Sequence, residues 1–375
     1  MTEDDGFDAA IVHRNRVREL DILLEDSQAG RLVSAMREPY PALIDLRIYD
    51  PYGFGPGLPD KFLDGSAPSL QHLYLCSVSV SFYALPKFLM SATGLVHLTL
   101  LDCRRHISPD TILTCLAVLV NLKSFVIEYP RHVYDPHDEY IGYSWPLHWL
   151  QTRVVLPALT HFDFRWKSEY LNFFLAHIDT PLLDSFCLAF REYGIRFGFH
   201  IPELGPFLRR TTNFLALDAA HVDFRDDGIS ATSLPPARTS NEGPGLRISC
   251  ELSYIKSTLS SFFPSTYIVE HLYIYGPRDL LKLGADEIQD MQWLEIFQPF
   301  ATVKNLYLLK EIAQYIAPAL QDLVGERVTS VFPILECIFL EGIEPSGPAE
   351  KAIEKFAAAR RLLGRPVVVS HWNET

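Results

Sequence analysis

One six-residue pattern, L-x-x-[LIF]-x-[LIF] with valine tolerated at the first position, recurs along this chain and constrains its fold more than any other feature. It occurs at 17–22, 43–48, 70–75, 95–100, 122–127, 159–164 and 183–188, and again at 269–274, 303–308 and 335–340. The first seven starts are separated by 26, 27, 25, 27, 37 and 24 residues. Side chains alternate across a strand, so positions 4 and 6 share one face and positions 3 and 5 the other. Position 1 turns inward from the preceding loop. One such unit cannot bury its apolar face alone, and neighbours must stack to enclose a continuous core.

A period of this length suits one strand and one return segment per turn, which is the leucine-rich-repeat period. The expected fold is therefore α/β: a leucine-rich-repeat solenoid with a curved, parallel β-sheet on the concave side and helices and loops on the convex side. The 86 residues between the starts at 183 and 269 leave room for two degenerate repeats, with candidate strands at 220–224 and 246–250. The return segments read as helices. Ser108, Pro109 and Asp110 before 111–119 supply an N-cap, a proline at the first helical position and an acid at the positive end of the dipole. Ile112, Leu116 and Leu119 then form one apolar stripe. Similar stripes run through 171–175, 312–324 and 349–363, the last closed by Gly364 and Pro366 and followed by a strand at 367–369. That final helix and strand are expected to cap the repeats over about residues 345–375. Two stretches break the repeat, one near 128–156 and one near 225–245, and both read as irregular insertions, the second as a mobile loop. No interdomain linker stands out, so a single domain over 1–375 is expected.

Composition narrows the function classes. At 375 residues the chain exceeds what one compact core usually serves. Its 48% hydrophobic and 21% charged residues belong to a foldable protein. A net charge of −13 with only arginine doublets for basic runs argues against nucleic acid. No uninterrupted apolar run approaches the length of a membrane span. The acidic start, Met1 to Asp5, is the reverse of a secretory or mitochondrial leader, so a cytoplasmic or nuclear address is expected. The six cysteines form no CxxC pair, which speaks against zinc or redox motifs.

If positions 3 and 5 face outward, they line the concave surface. Position 3 then presents Glu19, Asp45, His72, His97, Ser124, His161, Ser185, His271, Asn305 and Cys337. Position 5 presents Asp21, Arg47, Tyr74, Thr99, Val126, Asp163, Cys187, Tyr273, Tyr307 and Phe339. The residues selected for partner contact are His72, Tyr74, His97, His161, Asp163, His271, Tyr273, Asn305, Tyr307 and Phe339, because tyrosine in particular anchors interfaces. The alternative is that these positions are simply tolerated facing solvent. His72 and His97 fall on adjacent strands roughly 5 Å apart, but stacked exposed polar groups are commoner than a metal site. Residues Gly53 to Gly57 are glycine-rich yet lack nucleotide-loop spacing, and Pro56 and Pro59 oppose a helix there. His132 and His137, with Asp135 and Asp138, have neither helical spacing nor a third ligand motif. No GxSxG, HExxH or P-loop occurs. No catalytic residue, metal or cofactor is expected.

With the repeat in view, 95–103 (Leu95, Leu98, Leu100 and Cys103) followed by Ile107 and the capped helix resembles the cysteine-containing repeat common in F-box proteins. More broadly, segments such as PSLQHLYL, ISPDTILTCLAVLVNLKSF and VVLPALTHFDFRWKSEYLNFFLAHIDTPLLDSF are similar to the repeat region of basidiomycete F-box-like families. Similar segments reach from about Arg16 to the C-terminus. The resemblance implies a fungal, non-catalytic substrate receptor, and as its alternative an adaptor of a Skp1–cullin ubiquitin ligase. About sixteen residues precede the first strand and no Leu-Pro-x-Glu pattern with an apolar helix occurs. Skp1 is therefore expected as a partner only if an F-box precedes this sequence. Enzymatic or GTPase-activating roles on a repeat scaffold form a remote third reading.

Overall fold

Each template hexapeptide yields a five-residue strand spanning positions 3 to 7, because β-branched, aromatic and leucine side chains alternate there with polar ones. In this computed structural model the described residues are 12–24, 35–51, 57–79, 84–103, 107–128, 153–190, 201–211, 213–214, 219–225, 228–234, 245–250, 269–275, 293–323, 325, 327–343 and 346–371. For 223–225, 228–234, 245, 248 and 250 the backbone alone is described. The expected insertion therefore lies outside the described residues over 129–152, as do His132, His137 and the glycine-rich run except for Gly57. The fold is α/β, with parallel strands and helices, and the chain divides into two compact units, Met1–Leu183 and Asp184–Thr375.

In the first unit six strands pair in chain order, all parallel: β1 (Glu19–Leu23), β2 (Asp45–Tyr49), β3 (His72–Cys76), β4 (His97–Leu101), β5 (Ser124–Glu128) and β7 (His161–Arg165). The template stays in register throughout, so Leu46, Leu73, Leu98, Phe125 and Phe162 form one row at position 4. That row and the first-position leucines 43, 70, 95, 122 and 159 are fully buried. Phe125 and Phe162 stack at 5.4 Å, and Phe174 of the Ser168–His177 helix packs edge-on to Phe125 and Phe164. The helix thus covers the buried face of the sheet. A short ladder between β6 (Val154–Val155) and β8 (Ile178–Asp179), absent from the sequence expectations, closes that region.

The turn into each strand is repeated as faithfully as the strand. The amides of Leu70, Leu95 and Leu122 donate to the carbonyls three residues earlier at 3.0–3.1 Å. Each position-2 carbonyl then accepts two amides from the next repeat: Gln71 O from Val96 and His97, Val96 O from Lys123 and Ser124, Lys123 O from Thr160 and His161. These bonds satisfy backbone groups that the hydrophobic rows would otherwise bury unpaired. The expected cap forms too: Ser108 accepts from the Thr111 amide at 3.4 Å, and Pro109–Leu116 is helical with Pro109 in its first turn.

The second unit orders its strands β9-β12-β11-β10-β13-β14-β15-β16. Their ranges are β9 (Ser185–Ala189), β10 (Ala219–Arg225), β11 (Gly228–Leu234), β12 (Gly245–Cys250), β13 (His271–Tyr275), β14 (Asn305–Leu309), β15 (Cys337–Glu341) and β16 (Val368–His371). The two candidate strands of the gap exist, but in an unexpected arrangement. β12 pairs parallel to β9 and β10 parallel to β13, while β11 runs antiparallel between them. The mobile loop expected over 225–245 is thus corrected in part: Gly228–Leu234 is a strand, while 226–227 and 235–244 lie outside the described residues. The reason lies in residues read only as loop signals. Arg225 pairs with Gly228 at one end of an antiparallel ladder between β10 and β11. Ile229 and Thr232 then supply the branched side chains a strand favours.

The end of this unit follows expectation. A helix at Lys310–Gln321 lies between β14 and β15, and a helix at Pro348–Leu362 precedes β16, which pairs parallel to β15. Gly364, at φ +72°, takes the left-handed turn that releases the chain from that helix. Arg360 in the same helix is completely buried, and its guanidinium donates to the carbonyls of Val328, Val331 and Pro333 at 3.1–3.4 Å.

Candidate binding surface

The outward rows are built by the alternation that buries positions 4 and 6. In the first unit the position-3 row runs Glu19, Asp45, His72, His97, Ser124, His161 in register, and the position-5 row Asp21, Arg47, Tyr74, Thr99, Val126, Asp163. Polar neighbours lock together here. Arg47 grips Asp45 with two bonds of 3.1 Å, and His72 Nδ1 lies 3.1 Å from the same carboxylate. Burial opposes the ionisation of Asp45, but the bonds from Arg47 and His72 outweigh it and hold the pKa below its ordinary value. The His72 and His97 rings meet edge to face at 4.9 Å. Ser124 separates His97 from His161 in this row.

Position 7 adds residues that the template, ending at position 6, leaves unread. Tyr49 packs against Tyr74 at 4.8 Å. Burial, with Cys76 and Tyr49 nearby, pushes the Tyr74 phenol up to about 12, so it stays a neutral hydrogen-bonding group. Arg165 bridges two carboxylates, reaching Asp163 at 2.7 Å and Glu128 at 3.3 Å. Asp163 differs from the expectation of a solvent-facing contact: it is 7% exposed, and Arg165 engages both its oxygens. His72, Tyr74 and His161 are half-buried and His97 is exposed.

In the second unit the outward row is aromatic. His221, Tyr273, Tyr307 and Phe339 occupy successive strands β10, β13, β14 and β15 in register. Their rings stack almost parallel, with centroids 4.4, 4.1 and 4.6 Å apart and interplanar angles of 6–10°. His271 and Asn305 lie beside them on position 3, and His271 Nδ1 is 3.4 Å from both the Tyr307 hydroxyl and Asn305 Nδ2. Tyr273, Asn305, Tyr307 and Phe339 are all half-buried, and burial raises the Tyr307 pKa. Each inner ring, Tyr273 and Tyr307, therefore has both faces covered by a neighbour. Such a ridge suits a protein surface better than a flat ring that would need an open aromatic face.

His221 is the member that the template misses, because its repeat carries Ala220 where the others have a large apolar residue. Its Nδ1 lies 3.0 Å from the Tyr275 hydroxyl, and burial drives its pKa down to about 4. An unfolded chain, with histidine near its ordinary 6.5, binds the proton more readily than the folded one between those two values. The contribution of neutral His221 is therefore complete above pH 6.5 and erodes as the pH falls toward 4. We expect the urea midpoint of the wild type to drop more between pH 7 and pH 5 than that of His221→Phe, which keeps the stack and removes the titration. Equal drops would show that His221 is not held neutral.

Among the described residues no group of three or more His, Cys, Asp or Glu side chains is placed to hold a metal ion, and Cys76, Cys103, Cys115 and Cys337 are free thiols. Burial pushes the Cys115 thiol up to about 12 and that of Cys103 higher still, so both behave as small apolar groups. No helix among the described residues is long and apolar enough to cross a membrane. No protein-family model and no curated protein matches this sequence.

Proposed function

We propose that this chain is a leucine-rich-repeat solenoid and a non-catalytic binding protein, which receives another protein on the outward rows of its parallel strands. One observation carries the reading: the ordered row of His221, Tyr273, Tyr307 and Phe339 on the face away from the core. Half-buried tyrosines held rigid by their neighbours lose little side-chain freedom on binding, which is what makes such residues effective anchors. The resemblance to F-box-type substrate receptors points the same way. The expected partner is a protein, with neither nucleic acid nor membrane as the target.

The test is affinity capture from native extract with the full chain as bait, beside a Tyr273→Ala/Tyr307→Ala variant of equal thermal stability. A specific partner should be captured by the wild type and lose about thirtyfold or more in affinity with the variant, the loss typical of an interface hot spot. A catch that is identical for both baits, or an empty one, would defeat the proposal.

A further inference from the structure

The first unit carries its own feature, a pair of histidines beside an ionised carboxylate. His72 on β3 and His97 on β4 are in direct register, with ring centroids 4.9 Å apart at 63°. His72 Nδ1 is 3.1 Å from Asp45, whose carboxylate Arg47 also grips. With that acceptor ionised, Nδ1 of His72 is the protonated nitrogen, and Nε2 of the neutral ring is left as an acceptor. A proton on each ring would place two like charges in ring contact. Burial, His72 and Lys123 all depress the pKa of His97, with Asp45 opposing them and His161 adding to them. Among the described residues, the charged groups of the outward rows nearest the pair are Glu19 and Asp21 on β1, Asp45 and Arg47 on β2, Lys123 before β5 and His161 on β7.

We propose that Asp45, His72 and His97 form a pH-sensitive element of the binding face, whose rings gain positive charge as the pH falls. On β1 to β4, Glu19, Asp21 and Asp45 against Arg47 leave two negative charges at the higher pH. Protonating both rings cancels them, and the outward Nε2 of His72 changes from acceptor to donor. A lysine- or arginine-bearing segment held there at neutral pH is consequently released on acidification. The inference rests on reading this face as a binding surface and adds its regulation.

The first measurement needs no partner: imidazole resonances of the full chain followed between pH 4.5 and 8. His97 should titrate below 6.5 and shift upward in His72→Gln. Titration of His97 at or above 6.5, or no response to His72→Gln, overturns the coupling. The second uses a lysine decapeptide as probe at constant ionic strength. Binding should weaken about tenfold from pH 7.5 to 5 in the wild type, and less than twofold in His72→Gln/His97→Gln, as expected for charges partly screened by solvent. Absent binding, or a pH response that survives the double substitution, overturns the release. Neither result bears on Tyr273 and Tyr307, so failure here is distinguishable from failure of the capture experiment.

Discussion

Phe162→Ala will destabilise the first unit by about 3–5 kcal/mol, read as a lower urea midpoint at unchanged m-value. Phe162 occupies position 4 of β7 and is completely inaccessible to solvent. Its ring stacks on Phe125 at 5.4 Å and 7°, and meets Phe164 edge-on at 6.4 Å. Alanine would remove the transfer energy of a whole aromatic ring and leave a void walled by side chains already engaged with Phe174. Those walls belong to β5 and β7, which are held in register with each other, so collapse into the void is restricted. Phe162→Leu, which puts the commonest template residue at that position, should cost distinctly less. A loss below about 1 kcal/mol for the alanine variant would mean that the row is not the packed core described here.

Arg360→Ala will have a comparable effect in the second unit, about 3–5 kcal/mol, for a different reason. This guanidinium is fully buried, and among the described residues no carboxylate pairs with it. It holds the carbonyls of Val328, Val331 and Pro333 and lies 5.7 Å from the Phe356 ring. Burial, with Arg365 nearby, lowers its pKa from the ordinary arginine value, yet arginine remains protonated at neutral pH. The side chain therefore ties the Pro348–Leu362 helix to the Arg327–Ser330 helix and the turn after it. Truncation combines a cavity with stranded carbonyl groups. Arg360→Met separates the two contributions, because it refills the volume but offers no donor. Methionine should recover part of the loss. Full recovery would show that the hydrogen bonds add nothing net, as can happen for buried charges.

The sequence expectations held where one residue type had one physical job. A leucine at position 1 must turn into the core, and residues 43, 70, 95, 122, 159 and 183 do so without exposure. The serine, proline and aspartate at 108–110 could hardly be anything but a helix start. Between 189 and 268 the two candidate strands were legible but their order was not. There a small Ala220 replaced the usual large residue, and the strand neighbours β12 and β10 inverted their chain order. Turn-forming residues on either side also concealed the strand at Gly228–Leu234.

The candidate surface divides in the same way. Alternation alone assigned His72, Tyr74, His271, Tyr273, Tyr307 and Phe339 to the outward rows, since a strand leaves only two faces. Whether an outward residue is available to a partner depends on its neighbours. Arg165, two positions beyond Asp163, folds back over it and buries it, an outcome that no pattern of apolar residues encodes. His221 joins the aromatic row only because β10 pairs with β13 across a long sequence gap. The sequence by itself thus determined the repeat, the parallel strands and the inward rows, because these follow from local periodicity and the need to bury apolar faces. Tertiary structure alone decided the strand order in the second unit, the stacking of the four rings and the coupling of His72 to Asp45. Those depend on which distant residues meet across a hydrogen-bonded pair of strands.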